Sequence, residues 1–327
     1  MALSGPLFPA FCRQGRSPAR YKVGYIDATG CTVIEPRFED GRPFAEGLAA
    51  VRFRGKTGYI DTFGREVIAF LFQSGEHFSE GRAVVTLKGK RGYLDSSGSM
   101  VIPPVFDIAF DFSEGLAGVL SNGKYGFLDR DGRQAIPLVY EDVRSFSEGL
   151  ASAKWRGKWG YIDRTGEFAI PAQFGGRVAG PFVDGRARVC IDGKWGYIDR
   201  SATVVVAPRF EMAWDFSDGL GAVQAQGLWG YVDREGDLKI EPQFRHVLEF
   251  SEGLARAEAP VTWLCNNGFI DHEGRMVIPP RFGGTGRFHE GLCLVTTTDE
   301  IGYIDRSGEF VWKGPYVDGP LGSDLRL

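Results

Sequence analysis

Acidic residues recur at two fixed places in this chain of 327 residues, and their spacing is the first pattern that could do chemistry. Nine aspartates, Asp27 to Asp305, each close a core of glycine, aromatic and branched aliphatic, and eight acids, Glu46 to Glu290, stand in Phe-x-(Glu/Asp)-Gly. Paired carboxylates can act as acid and base. Such catalysis needs two groups held in unlike environments, whereas these acids return in nearly every unit. They read as turn elements.

Cations make a second pattern. The position three before the core aromatic is lysine in six consecutive units, Lys22, Lys56, Lys90, Lys124, Lys158 and Lys194, and then becomes Leu228, Asn266 and Glu300. Stacked in register, these lysines form a basic stripe able to meet an acidic partner. The plainer reading is a solvated hairpin position carrying lysine against edge pairing. The next position is tryptophan in only three units, Trp159, Trp195 and Trp229. As exposed indoles they would be stacking platforms for a glycan. Trp263 is a fourth candidate, an exposed anchor within a four-residue insertion in 259–268, and a two-residue insertion falls within 171–182. Insertions in repeat arrays map to surface loops, where function often resides.

Other chemistries lack their residues. His77, His246, His272 and His289 lie far apart, and Cys12, Cys31, Cys190, Cys265 and Cys293 never adopt CxxC spacing, so no metal or disulfide framework is indicated. There is no GxSxG, P-loop or GxGxxG on a strand-to-helix turn. The expectation is a chain that is not an enzyme and needs no cofactor. A net charge of −4 gives no overall attraction for nucleic acid or an anionic membrane. No run of about 18 apolar residues occurs, and the start lacks a basic leader before an apolar core. Cytoplasmic location without membrane insertion is therefore expected.

What positions these residues is a repeat. The core appears as GYID at 24, 58, 160, 196 and 302, GYLD at 92, GFLD at 126, GYVD at 230 and GFID at 268, at successive spacings of 34, 34, 34, 34, 36, 34, 38 and 34. Such regularity marks one array. The core strand is apolar on both faces, as expected for a buried central strand. Asp-x-x-Gly follows in eight of nine units, with Ala202 in place of glycine after Asp199. The carboxylate can accept its own downstream N–H groups, and glycine takes the positive φ. The turn at Ala202 should be strained or of another type. A VIxP strand ended by proline comes next, then a connection to Phe-x-(Glu/Asp)-Gly and a LAxV strand. Each unit thus reads as a three-stranded antiparallel meander. A single 34-residue unit has too few apolar side chains to offset its conformational entropy. No stretch shows a 3.6-residue apolar period, so helix should be scarce.

The segments GKWGYIDRTG, 157–166, and GKWGYIDRS, 193–201, resemble the hallmark of WG-repeat proteins, also called KWG repeats, which are mostly bacterial. The resemblance covers residues 21–319 and implies a β-rich array used for interaction or binding, with no family-wide catalytic activity. A weaker similarity runs from GYLDSSGSMVIPP, 92–104, to the aromatic hairpin repeats of choline- and glucan-binding cell-wall modules. The expected fold is all-β, with nine three-stranded meanders stacked as an elongated β-solenoid, and a closed propeller-like ring as the alternative. Residues 1–20 are expected to be an irregular segment or degenerate capping strand, 21–319 the array and 320–327 a tail. The expected function is a non-catalytic scaffold for a protein partner, using Lys56, Lys90, Lys124, Lys158 and Lys194. The alternative is glycan or cell-envelope binding through the repeat tryptophans Trp159, Trp195 and Trp229.

Overall fold

Each repeat folds around the strand that carries its GYID core. In the computed structural model, which describes residues 5–13, 21–260 and 267–315, this strand is paired on both sides and its aromatic and aliphatic residues are buried. LAxV pairs with it across a two-residue turn, as in Leu48–Phe53 with Lys56–Asp61, and VIxP pairs on its other side, as in Glu66–Phe72. A fourth strand completes most sheets. It is as short as Asp40–Gly41, pairs with LAxV, and is drawn from the connection that the sequence reads as a loop.

Nine separate antiparallel sheets result, at 7–38, 40–72, 74–106, 108–140, 142–174, 187–210, 212–244, 246–282 and 284–315. Seven have four strands; the first and sixth have three. There is no helix among the described residues. These sheets are the blades of a β-propeller, the alternative given above, and the elongated β-solenoid of three-stranded meanders is not formed. The reason lies in the connection: in four sheets its strand has only two residues, too short to show alternation, and it opens a new sheet instead of extending the old one. At the N-terminus, Leu7–Arg13 is a full strand paired with Tyr21–Asp27.

Proline does not end the VIxP strand. The strand runs on for seven residues, as in Thr32–Phe38 across Pro36, and the pairing slips opposite the core glycine. A Cβ on Gly58 would stand 2.6 Å from the carbonyl oxygen of Ile68, and one on Gly160 the same distance from that of Ile170. Glycine is what lets the bulged strand close over the core strand. At the bulge, proline forfeits no ladder bond.

The chain divides into two compact units, Met1–Gly149 with Arg164–Glu167, and Leu150–Asp163 with Phe168–Leu327. Within each, neighbouring sheets meet through one recurring set of contacts. The core aromatic meets the Phe of the next Phe-x-(Glu/Asp)-Gly: in the first unit Tyr25 with Phe44, Tyr59 with Phe78 and Phe127 with Phe146, at centroid distances of 4.9, 5.2 and 4.9 Å. In the second unit Tyr197 meets Phe216 and Phe269 meets Phe288, at 4.8 and 5.0 Å. These edge-on geometries suit aromatic quadrupoles. The tyrosine hydroxyl also donates to a carbonyl of the next sheet, Tyr59 to Glu76, Tyr93 to Phe110 and Tyr231 to Leu248, at 2.7–2.8 Å. Burial pushes the Tyr59 and Tyr93 phenols well above their ordinary range, so they remain donors.

The repeated acids are consumed in the same way. Glu46 accepts from the Gly81 amide, Glu80 from Gly115 and Glu114 from Gly149, while in the second unit Asp184 accepts from Gly219, Asp218 from Gly253 and Glu252 from Gly291. Each carboxylate thereby caps the equivalent turn of the following sheet. Those turns place both central residues at positive φ, as in Glu46 at 52° and Gly47 at 82°, which is the type I′ geometry of two-residue hairpins. The Asp-x-x-Gly carboxylates bond locally: Asp27 Oδ1 accepts from the amides of Thr29 and Cys31, and Asp95 Oδ1 from those of Ser97 and Ser99.

Ala202 has the strained form of this turn and not another type. It keeps the same hydrogen bonds, Asp199 N–H to Thr203 and Ala202 N–H to Asp199, with φ at 65°. Elsewhere the glycine also rests on the preceding sheet's aliphatic residue, where a Cβ at Gly64 would lie 2.9 Å from Ile34 and one at Gly308 2.8 Å from Ile278. Ala202 packs on the cluster that contains Ile170, the corresponding residue. Replacing Ala202 with glycine should stabilise the protein by about 1 kcal/mol by relieving this backbone cost, measured as a rise in the urea midpoint at unchanged slope; an unchanged or lower midpoint contradicts the assignment.

A second expectation concerns acid. Hydroxyl hydrogen bonds from Thr29, Ser97, Ser201 and Ser307, ahead of the backbone amides, hold Asp27, Asp95, Asp199 and Asp305 below the ordinary carboxylate range. Because the folded state holds these protons less tightly than the unfolded chain, their contribution is fully present above the unfolded pKa of about 3.9. It is lost as pH falls toward the lower folded values. Urea midpoints should therefore fall on going from about pH 5 to pH 3, and Asp95→Asn should make that dependence shallower. A slope unchanged in the variant would remove the turn from the acid response.

Candidate functional site

The lysine row begins at a second I′ hairpin, whose central pairs include Arg54 with Gly55, Lys88 with Gly89 and Arg156 with Gly157, all at positive φ. Lys56, Lys90, Lys124 and Lys158 each open the third strand of a four-stranded sheet and Lys194 the middle strand of a three-stranded one, and each is exposed. That strand is internal to its sheet, so lysine here does not guard an edge. The cations are unequal. Lys90 pairs with Asp107 on the next sheet, whereas the residue in the place of Asp107 after Lys56 is Gln73, which accepts from the Gly89 amide. No carboxylate stands at that place beside Lys56.

The tryptophans do not form a platform. Trp159 is 0% and Trp229 4% exposed, and Trp229 lies parallel to Trp214 with centroids 5.8 Å apart. Trp195 is half-buried, with the Arg188 guanidinium 5.5 Å from its ring. Neither buried indole can offer a face to a sugar ring, because its slot is the second residue of the packed strand. Trp263 lies outside the described residues.

Sequence reasoning misses a set of non-repeated charged pairs. In the second unit, Arg188 is held by Asp215 at 2.7 Å and the Ala213 carbonyl at 2.7 Å, and it also lies over Trp214. Arg256 reaches His246 Nδ1 at 2.7 Å, and Arg287 pairs with Glu249 at 2.6 Å. In the first unit, Arg42 pairs with Glu76 at 3.1 Å, and His77 stands 3.5 Å from Asp111. A signal exists: the third residue of the LAxV segment is small or apolar in six units and arginine at 188 and 256.

Burial pushes the Asp215 carboxyl up against the opposing pull of Arg188, and it does the same to Asp111 against His77. Burial, followed by the charge of Arg256, pushes His246 down. An isolated raised carboxyl would be a candidate acid, but each of these two faces a basic side chain of the preceding sheet, Arg188 or His77. Their geometry is that of packing pairs. Two surface grooves lie elsewhere. One of about 540 Å³ is lined by Glu80, Glu114, Arg130 and Arg164, and one of about 210 Å³ by Phe38, Phe53, Ile60 and Phe70. Glu80 and Glu114 already cap turns there, and Arg130 pairs with Glu80 at 2.6 Å.

Similarity to solved structures extends along the whole array. A chain described as a eukaryotic initiation factor shares 12% identity, with 96% of each chain covered and a TM-score of 0.68. The dihydro-heme d1 dehydrogenase NirN shares 13% identity over 98% of this chain and 79% of its own, with a TM-score of 0.52. At such identities the likeness is one of fold. No curated protein matches the sequence. The family described as WG containing repeat matches eight segments, 24–56, 58–90, 92–125, 125–159, 159–195, 195–229, 229–258 and 268–299. With its cores, turns and inter-sheet contacts built from that repeated segment, the chain belongs to the WG-repeat family.

Proposed function

We propose that the chain is a non-catalytic binding scaffold for a protein partner, engaged through the exposed lysines of its first unit. One observation carries this reading: the repeated acids and aromatics are spent on holding neighbouring sheets together, while the repeated lysines stay at the surface. Lys56, Lys90 and Lys124 recur at equivalent hairpins of three consecutive sheets. A row of like charge steers an oppositely charged partner and sets its register. The glycan reading loses support with the burial of Trp159 and Trp229.

The test is a triple charge reversal, Lys56→Glu with Lys90→Glu and Lys124→Glu, in the full-length chain. Crosslinked partners recovered from the native cell by the wild type should fall at least tenfold with the variant, and their wild-type capture should weaken as salt rises. Thermal melting should change little, since exposed hairpin lysines contribute little to stability. Equal recovery by a folded variant removes the lysines from binding.

A further inference from the structure

The outermost strand of the second sheet, Glu66–Phe72, differs from its sisters at its open edge. It ends a four-stranded sheet and pairs only on its inner side. Its sequence is EVIAFLF, with a single charge at one end and no proline. In every other sheet from the first to the eighth the corresponding strand has proline at one or both of two slots, as with Pro36, Pro103, Pro137, Pro171, Pro208 and Pro242. The bulge opposite the core glycine is shared by these sheets, so proline is what sets this edge apart. Bare edges with strong β-propensity and little charge invite a further strand, and proteins ordinarily block them.

The surroundings suit an added strand. Val67 is 43% exposed and Leu71 62%, and Phe63 in the adjoining turn is 52% exposed. The groove of about 210 Å³ beside the strand, lined by Phe38, Phe53, Ile60 and Phe70, can seat an apolar side chain from such a strand. Around it, Arg37, Arg54 and Lys56 have no ion-pair partner among the described residues, whereas Arg65 is paired with Asp61.

We infer that the Glu66–Phe72 edge is a docking site for an extended, apolar segment of a partner protein with acidic flanks, taken up as a fifth strand of the second sheet. Main-chain hydrogen bonds along the edge supply affinity and the groove supplies selectivity. The unpaired cations favour acidic flanks, and this is the reason to assign a foreign segment over a second copy of the chain, whose own edge strand would bring the same cations. The inference goes beyond the lysine row and does not require Lys90 or Lys124.

The fold supplies its own test. Proline occupies the slot of Ala69 in four sister strands, at Pro103, Pro137, Pro171 and Pro279. Ala69→Pro therefore installs a feature that this architecture already carries. The probe is a fluorescein-labelled peptide, Asp-Glu, three Thr-Val pairs, Asp-Glu, titrated into the full-length chain with anisotropy readout, and hydrogen exchange followed over 66–72. Saturable binding with slowed exchange at that strand is expected, weakened at least tenfold by Ala69→Pro and unaffected by Lys90→Glu with Lys124→Glu. No saturable binding to the wild type, or equal binding by Ala69→Pro, overturns the proposal. Sedimentation velocity on the same proteins addresses the other occupant: a wild-type dimer that Ala69→Pro abolishes would assign the edge to a second copy and overturn the foreign segment. If Ala69→Pro does not fold, hydrogen exchange of the wild type decides: binding that leaves exchange over 66–72 unslowed overturns the proposal.

Discussion

The structure depends on a ring that belongs to one sheet and is finished by the next. Tyr59 is fixed by its own strand, yet its edge-on partner Phe78 and the carbonyl that accepts its hydroxyl come from the following sheet. A buried phenol without an acceptor is costly, so the neighbour's short strand has to arrive with its backbone in place. Where the ring is phenylalanine, as at Phe127 and Phe269, the aromatic contact persists without the bond. Shape complementarity is the common element, and the hydroxyl bond adds to it.

From this contact the rest of the repeat acquires its roles. The Phe of Phe-x-(Glu/Asp)-Gly is a core residue of an interface, the serine beside it donates onward, as Ser113 does to the Phe146 carbonyl, and the acid caps the next turn. The array is therefore stitched in one direction. Residues that recur in every unit serve this stitching, and those that vary from unit to unit lie where the surface is built: the lysine row, the outer strand of each sheet and the inserted segment within 171–182.

Much of this was legible in the sequence because the periodicity was strict. The aspartate turns could be read from Asp-x-x-Gly alone, since a short carboxylate and a glycine at that offset admit few geometries, and Ala202 stood out as a departure. The buried central strand followed from apolar residues on both faces. Other features were hidden for physical reasons. A strand of two residues such as Asp40–Gly41 has no alternation to detect, so the connection looked like a loop and the stacked meander looked sufficient. Pro36 appeared to end its strand because nothing local shows that the core glycine opposite has room for a bulge. The tryptophans misled because their slot is defined by its neighbours along the chain, and burial there is decided by the adjoining sheet. Arg188 and Asp215 lie 27 residues apart, and only the packing of two sheets brings them together.

The carboxylate caps bear on how such a chain can change over time. Glu46 to Gly81 and Glu80 to Gly115 each span 35 residues, and Glu252 still reaches Gly291 across 39, with the insertion between them absorbed. A duplication or loss of one whole period rejoins a carboxylate to an equivalent glycine and a ring to an equivalent phenylalanine, so the number of repeats can drift without an orphaned bond. A gain or loss of a fraction of a period has no such protection unless it falls in a loop. The two irregular spacings, 36 and 38 in place of 34, are what an inheritance by whole modules with tolerated small insertions leaves behind.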